Sequence, residues 1–116
     1  MQKFRSACIG IRLGVRGQSS FAVHFTAAAL VVLAAVGLQV DWVRWCILLV
    51  CITAVLTAEM FNSALEHLGR AVDRAENPHI AVALDIGSAA VLTASVGAAL
   101  VGSITLVTHV VVRFFP

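Results

Sequence analysis

Charged side chains are scarce in this sequence, and their scarcity indicates the class of protein. They make up 12% of the 116 residues, whereas hydrophobic residues make up 60%; a soluble domain typically has about 25% and about 45–50%. A water-soluble fold of this size could not bury so much apolar surface. The formal net charge of +2 is too small to indicate nucleic-acid binding. We therefore expect one membrane-embedded domain over residues 1–116.

Cysteine is also sparse, with three residues at positions that do not pair. Cys8, Cys46 and Cys51 are an odd set without metal-ligand spacing, so we expect neither a disulfide framework nor a zinc site. Cys46 and Cys51 fall in an apolar stretch, where a thiol acts as a small apolar side chain.

Three apolar stretches are long enough to cross a membrane, at residues 21–40, 42–61 and 85–112. Before them, residues 4–16 mix apolar and basic side chains at helical spacing. That pattern predicts an amphipathic helix on the membrane surface, with a frayed basic segment as the alternative. The expected fold is all-α, with one surface helix and three transmembrane helices.

Basic residues predict the orientation of these spans. Most of them precede the first span or lie between the second and third: Lys3, Arg5, Arg12, Arg16, Arg70 and Arg74. The positive-inside rule then places the N-terminus in the cytoplasm. Turns are expected at residues 37–41 and 74–80, where Pro78 disfavours a helical Asn77.

The second predicted span ends in polar residues that share one side of a helix. Glu59, Asn62 and Glu66 follow i, i+3, i+7 spacing, and Ser63 borders that face. Carboxylates at such depth are costly unless they are paired, hydrated or bound to a cation. Oxygen ligands of this kind suit magnesium that is also bound to phosphates. The pattern is consistent with a cation or phosphate site.

The third span starts with a matching pair, Asp85 and Ser88, at i, i+3 spacing. If the second and third helices pack antiparallel across the short turn, Asp85 approaches Glu66. Structural alternatives remain open at this point. Glu66 and Arg70 have the i, i+4 spacing of a simple ion pair, and Asn62 could be a hydrogen-bonding residue between helices.

These motifs resemble those of a known family. "ExxNSALEH" at 59–67 and "LDIGSAAV" at 84–91 are similar to the ExxNTAIE and AKDxxSAAV motifs of the small prokaryotic diacylglycerol kinases and undecaprenol kinases. "SFAVH" at 20–24 resembles the NFxxH motif of the undecaprenol branch. The resemblance runs without gaps from about Gly10 to Val91. It implies a homotrimer in the bacterial cytoplasmic membrane that transfers the γ-phosphoryl group of MgATP to the hydroxyl of diacylglycerol or undecaprenol.

The resemblance also implies roles for individual residues. Glu59 would be the general base, Glu66 a metal ligand and Asn62 its supporting ligand. Asp85 would contact ATP, as would Asn77 in the turn between the second and third spans. The residues implied at the lipid site are Glu59, Ser63, Ser88 and Trp45.

Three positions depart from the family pattern. Gln18 stands where a second metal carboxylate is expected, which makes it a weaker metal ligand. Leu84 replaces a lysine, and Arg70 replaces an aspartate. Arg70 could supply the lost positive charge to the nucleotide, or it could pair with Glu66. The departures also keep open the alternative of a weakened or non-catalytic lipid-binding relative, because phosphoryl transfer depends on charge neutralisation.

Two histidines also lie in the predicted spans. His24 lies near the start of the first span and His109 near the end of the third. We expect each to be an interfacial anchor or a hydrogen-bonding residue between helices.

Overall fold

The computed structural model describes residues 1–16, 19–72 and 77–116, and these fold into four helices. They are α1 (Gln2–Val15), α2 (Ser19–Leu38), α3 (Trp42–Arg70) and α4 (Pro78–Phe114). By length and composition, α2, α3 and α4 can each cross a membrane. No strand occurs in the described ranges. The predicted fold of one short N-terminal helix and three apolar helices is confirmed.

α3 and α4 extend beyond the apolar stretches that identified them. α3 continues to Arg70 and α4 already begins at Pro78, whereas the spans were predicted at 42–61 and 85–112. Backbone hydrogen bonding within a helix does not require apolar side chains, so the helices continue into the polar segment. Glu66 and Asp85 consequently lie on regular helix, which fixes the direction of their side chains.

The turn between α2 and α3 contains a left-handed residue that is not glycine. Gln39 has a φ of 51°. The Gln39 N–H donates to Val36 O at 3.1 Å, and the Val40 N–H donates to Ala35 O at 3.2 Å. This pair of bonds is the Schellman arrangement that ends a helix. The turn falls within the predicted residues 37–41, although Gly37 and Leu38 still belong to α2.

Side chains from α4 complete the end of α2. His109 Nε2 lies 2.8 Å from Leu38 O. Arg113 donates to Leu38 O at 2.8 Å and to Gln39 Oε1 at 2.9 Å. These contacts satisfy a helix-terminal carbonyl that has no partner within its own helix. The predicted hydrogen-bonding role of His109 between helices is confirmed.

Asp41 caps the start of α3. Its carboxylate accepts a bond from the Arg44 N–H and forms an ion pair with the Arg44 guanidinium. The side-chain hydrogen bond from Arg44 holds the pKa of the Asp41 carboxyl below its ordinary value. Asn77 has the same capping role at α4, where its side chain accepts from the His79 N–H at 3.1 Å.

The segment before α4 agrees with the prediction from proline. Asn77 has φ −130° and ψ 96°, and Pro78 occupies the first turn of α4. A proline there costs no hydrogen bond and disfavours helix at the preceding residue. The predicted turn at 74–80 is wrong for residues 78–80, which already belong to α4, because a proline is readily accommodated in the first turn of a helix. Residues 74–76 of that turn lie outside the described residues, as does Gln18.

Glycines bring α3 and α4 together as an antiparallel pair. Gly69 of α3 faces Ile80 and Leu84 of α4, while Gly87 of α4 faces Asn62 and Leu65 of α3. Farther along, Gly102 of α4 faces Leu48 of α3. As positions rise in one helix they fall in the other. The predicted antiparallel packing is confirmed, and it aligns the polar part of α3 with the start of α4.

Most apolar side chains of the three long helices are exposed in the single chain. Only 6–17% of their apolar windows is buried among the described residues. A small core of Ala35, Val40 and Leu48 lies beside the α2–α3 turn. Cover for the remaining apolar surface must come from lipid or from other protein surfaces.

Candidate functional site

Glu59 of α3 is buried, and α2 supplies partners for both of its carboxylate oxygens. The residue is only 3% exposed. Ser20 Oγ donates to Glu59 Oε2 at 3.2 Å, and His24 Nε2 lies 3.0 Å from Glu59 Oε1. Ser20 and His24 are separated by one helical turn on the same face of α2. Glu59 therefore joins α2 to α3.

The Glu59 carboxylate can accept further hydrogen bonds in addition to these two. An ionised carboxylate offers about four acceptor positions on its two oxygens, and it cannot donate. Ser20 and His24 occupy two of them. A buried carboxylate that is oriented by two partners and still has lone pairs free can receive a proton from a third group.

Asn62 of α3 contacts Glu66 on its own helix and faces Gly87 of α4. Its Nδ2 donates to Glu66 Oε1 at 3.1 Å, which directs the amide oxygen the other way. Asn62 Oδ1 is buried without a hydrogen-bond partner in the described structure. A Cβ atom at Gly87 would stand only 2.7 Å from this oxygen. The absence of a side chain at Gly87 therefore lets α4 approach Asn62.

A polar cavity of about 320 Å³ lies between α3 and the start of α4. Its walls are formed by Glu66, Gly69, Arg70, Leu84, Asp85 and Ser88. The approach of Asp85 to Glu66 that the sequence predicted is found, since both carboxylates line this space. Arg70 shares the cavity, so a cation and two carboxylates face the same volume.

Leu84 gives the polar cavity one apolar wall. Its side chain packs on Gly69, where an added Cβ would meet Leu84 Cδ1 at 3.5 Å and Ile80 Cγ2 at 3.3 Å. Ser88 stands one turn further along α4 and donates to the Leu84 carbonyl at 3.1 Å. The hydroxyl of Ser88 is therefore held against its own helix, at the rim of the cavity.

The carboxylates of Glu59 and Glu66, both on α3, are close enough to act on one substrate. Glu59 and Glu66 are seven residues apart, which is about 10 Å of helix rise on nearly the same face. Ser63 lies between them and is 2% exposed. Glu59, Ser63 and Glu66 therefore lie on one side of α3, of which the part at Glu59 and Ser63 is buried within the chain.

Trp45 and Asn77 lie apart from this face within the chain. Trp45 packs beside the core at the α2–α3 turn, about 20 Å of helix rise from Glu59. Asn77 caps α4 two turns before Asp85. Their implied contacts with lipid and nucleotide stay predictions.

The sequence analysis did not predict the hydrogen-bond partners of Glu59, which are Ser20 and His24. His24 was expected to be an interfacial anchor or a bonding residue between helices, and the bond between helices is the outcome. Ser20 was given no role. The available signal was the i, i+4 spacing of Ser20 and His24 within "SFAVH".

The donor set at the polar cavity fits magnesium that is shared with phosphates, rather than a metal held by protein alone. No group of three or more His, Cys, Asp or Glu side chains in the described ranges could hold a metal ion. Magnesium in nucleotide sites usually takes only one or two protein carboxylates. Glu66 and Asp85 offer carboxylates at one cavity, and Asn62 supports Glu66.

Comparison with known proteins relates the chain to a family of membrane enzymes through a family model. The family model described as prokaryotic diacylglycerol kinase matches residues 5–106, which include both polar groups of α3 and the start of α4. No curated protein and no solved structure shows a significant match.

Proposed function

Since this chain belongs to the prokaryotic diacylglycerol kinase family, we propose that it phosphorylates a membrane lipid hydroxyl with ATP. The lipid is diacylglycerol or undecaprenol. The observation that carries the proposal is the alignment of buried Glu59 with the polar cavity at Glu66 and Asp85. A lipid hydroxyl at Glu59 and a γ-phosphate near Glu66 would meet along the same face of α3.

Glu59 is the general base of this reaction. The lipid oxygen attacks the γ-phosphorus, the bond from that phosphorus to the bridging oxygen of ADP breaks, and the hydroxyl proton passes to Glu59. The base must lie within hydrogen-bonding reach of that proton. The free acceptor positions on the Glu59 carboxylate support this role, because Ser20 and His24 do not exhaust them.

Glu66 would hold magnesium together with the phosphates, and Asn62 would keep the Glu66 carboxylate in place through its hydrogen bond. Gln18 is a weaker ligand of the same ion. Bound magnesium neutralises charge on the transferred phosphoryl group. Asp85 and Asn77 bind the nucleotide on the side of α4.

Arg70 is a further nucleotide contact in this proposal. It lines the polar cavity with Glu66 and Leu84, so residues 70 and 84 border the same space. Arginine can also make two parallel bonds to a phosphate. The rival role is an ion pair between Arg70 and Glu66 at i, i+4 spacing.

On the lipid side, the residues proposed to contact the substrate are Ser63, Ser88 and Trp45. The chain lies in the bacterial cytoplasmic membrane with its N-terminus in the cytoplasm, and the enzyme is a homotrimer. The exposed apolar surface of the three long helices supports cover by lipid and by neighbouring subunits.

A second candidate function is lipid binding without efficient catalysis. The observation that favours it is Leu84, which presents an apolar wall to the polar cavity. Leucine offers no charge to phosphates, so the transition state loses one stabilising contact.

A transfer assay tests the proposal and separates these candidates. Purified protein in detergent micelles is given magnesium, γ-labelled ATP and either diacylglycerol or undecaprenol. Labelled phospholipid from one of the two lipids is the expected result and identifies the substrate. The absence of product from both, together with the absence of MgATP binding, contradicts the kinase and leaves lipid binding.

A further inference from the structure

His24 reaches across from α2 to touch Glu59, and the reaction outlined above gives it no task. Its Nε2 lies 3.0 Å from Glu59 Oε1, with the His24 side chain 19% exposed and that of Glu59 4% exposed. We propose that His24 is a positioning residue that sets the Glu59 carboxylate for phosphoryl transfer. The inference rests on the proposed role of Glu59 as general base.

The geometry restrains a side chain that would otherwise be mobile. A glutamate has several rotatable bonds, so a base at position 59 can point in many directions. His24 holds one carboxylate oxygen, and Ser20 holds the other at 3.2 Å. Two contacts from one rigid helix fix both the position and the rotation of the carboxylate. Fixed orientation of reacting groups is a large part of catalysis.

The chemistry of the bond favours positioning over proton relay. A base ready to act is ionised, and an ionised carboxylate can only accept hydrogen bonds. The proton in this bond therefore lies on His24 Nε2. While Nε2 donates to Glu59, it cannot also accept the proton that Glu59 removes from the substrate.

The surroundings of His24 are mostly apolar, although the cavity it borders also includes Ser95, whose buried hydroxyl has no hydrogen-bond partner in the described structure. His24 also lines an apolar cavity of about 370 Å³ between α2, α3 and α4. Close to His24 the walls are formed by side chains such as Ala27, Ala28 and Val55. An apolar side chain at position 24 would deprive Glu59 Oε1 of the His24 donor, and the carboxylate would turn elsewhere to find another.

Two variants test the inference in the lipid kinase assay. His24→Leu removes the donor, and we expect a fall in kcat of about 100-fold, typical of a misplaced catalytic group, with the KM for MgATP unchanged. His24→Gln supplies an amide N–H at a similar reach, and we expect kcat to recover to within about tenfold of wild type. Thr26→Ala is the matched control on α2, because the exposed Thr26 hydroxyl donates only to its own helix, at Ala22 O.

The results separate positioning from its rivals. Wild-type kcat in His24→Leu contradicts the inference, as does an increase in KM for MgATP without a change in kcat. Equal loss in His24→Gln and His24→Leu, with both folded by circular dichroism, also contradicts it, because the imidazole itself would then be required. If His24→Leu does not fold, the inference is tested with His24→Gln and Ser20→Ala instead. Ser20→Ala removes the second contact to the Glu59 carboxylate and should lower kcat by about tenfold.

The contact between His24 and Glu59 can also be tested by a measurement that does not depend on kinase activity. In protein labelled with ¹⁵N at histidine, the His24 Nε2 resonance should shift in Glu59→Gln, while that of His109 should not. An unshifted His24 resonance contradicts the contact and thus the inference. Inactive wild-type protein would instead contradict the proposed function, and the inference with it. An active wild type with a fully active His24→Leu contradicts the inference alone.

Discussion

The two ends of the α2–α3–α4 bundle differ in how fully their polar groups are satisfied. At the turn end, around residues 35–48 and 102–113, the helix termini are capped by Asp41, His109 and Arg113. At the polar end, around residues 20–24, 59–70 and 77–88, a buried carboxylate keeps free acceptor positions and Asn62 Oδ1 has no partner. The hydrogen bonds at the turn end stabilise the fold, whereas the polar end keeps acceptor atoms that could bind a substrate.

The close contact at Gly87 should give the largest loss at the polar end. In Gly87→Ala the new Cβ would stand 2.7 Å from Asn62 Oδ1 and 3.0 Å from Leu65 Cδ1. We expect α4 to shift away, with about 1–3 kcal/mol less stability and about 100-fold less kinase activity. Thermal unfolding in micelles and the transfer assay measure the two effects.

Gly97→Ala is the matched control for that substitution, since nothing lies within 4 Å of the added Cβ. In an exposed helix interior, alanine is more favourable than glycine by about 1 kcal/mol. Gly97→Ala should therefore keep full activity. Equal behaviour of the two variants would show that Asn62 does not require the close approach of α4.

Arg70→Asp tests the electrostatics of the polar cavity. If Arg70 binds the phosphates, the loss of its charge should raise the KM for MgATP by about tenfold, which corresponds to one charge-assisted hydrogen bond. If Arg70 instead pairs with Glu66, its removal releases a carboxylate for magnesium and activity rises, most of all in combination with Leu84→Lys. Activity at saturating lipid across a magnesium titration distinguishes these outcomes, and a rise for Arg70→Asp alone would contradict phosphate binding.

Arg113→Met should affect stability only. The substitution removes bonds to Leu38 O and Gln39 Oε1, each of which contributes about 1 kcal/mol. We expect a lower unfolding temperature with unchanged kcat and KM. A change in kcat at temperatures where the variant is folded would show that the two ends of the bundle are coupled.

The Asp41 cap should give the smallest effect and a characteristic pH dependence. Arg44 lowers the pKa of the Asp41 carboxyl in the folded state. The Asp41 carboxylate therefore makes its full contribution to stability at pH values above the pKa of an aspartate in the unfolded chain, about 3.9. That contribution is lost as the pH falls through the lower pKa of the folded state. Asp41→Asn should therefore be less stable than wild type at pH 7, and the difference should shrink in acid. A difference that does not change with pH would contradict the ion pair.

Much of the fold could be predicted because the apolar stretches and the Asn77–Pro78 pair are local signals. The position of Glu66 and Asp85 at one cavity also followed from spacing and a short connection. The contact of His24 with Glu59 could not be predicted. α2 is apolar on almost every side, so periodicity does not show which face it turns towards α3. The left-handed Gln39 was not predicted for another reason, since the usual residue at that position of a helix end is glycine.

The central claim is that Glu59 removes the lipid proton while the polar cavity binds the nucleotide separately. Glu59→Gln tests it most directly, because glutamine has a similar shape but cannot take up the proton. Phosphoryl transfer and MgATP binding are measured on the same preparation of wild type and variant. The account predicts at least about 100-fold less transfer with nearly unchanged MgATP affinity. Near-normal transfer by Glu59→Gln would contradict it.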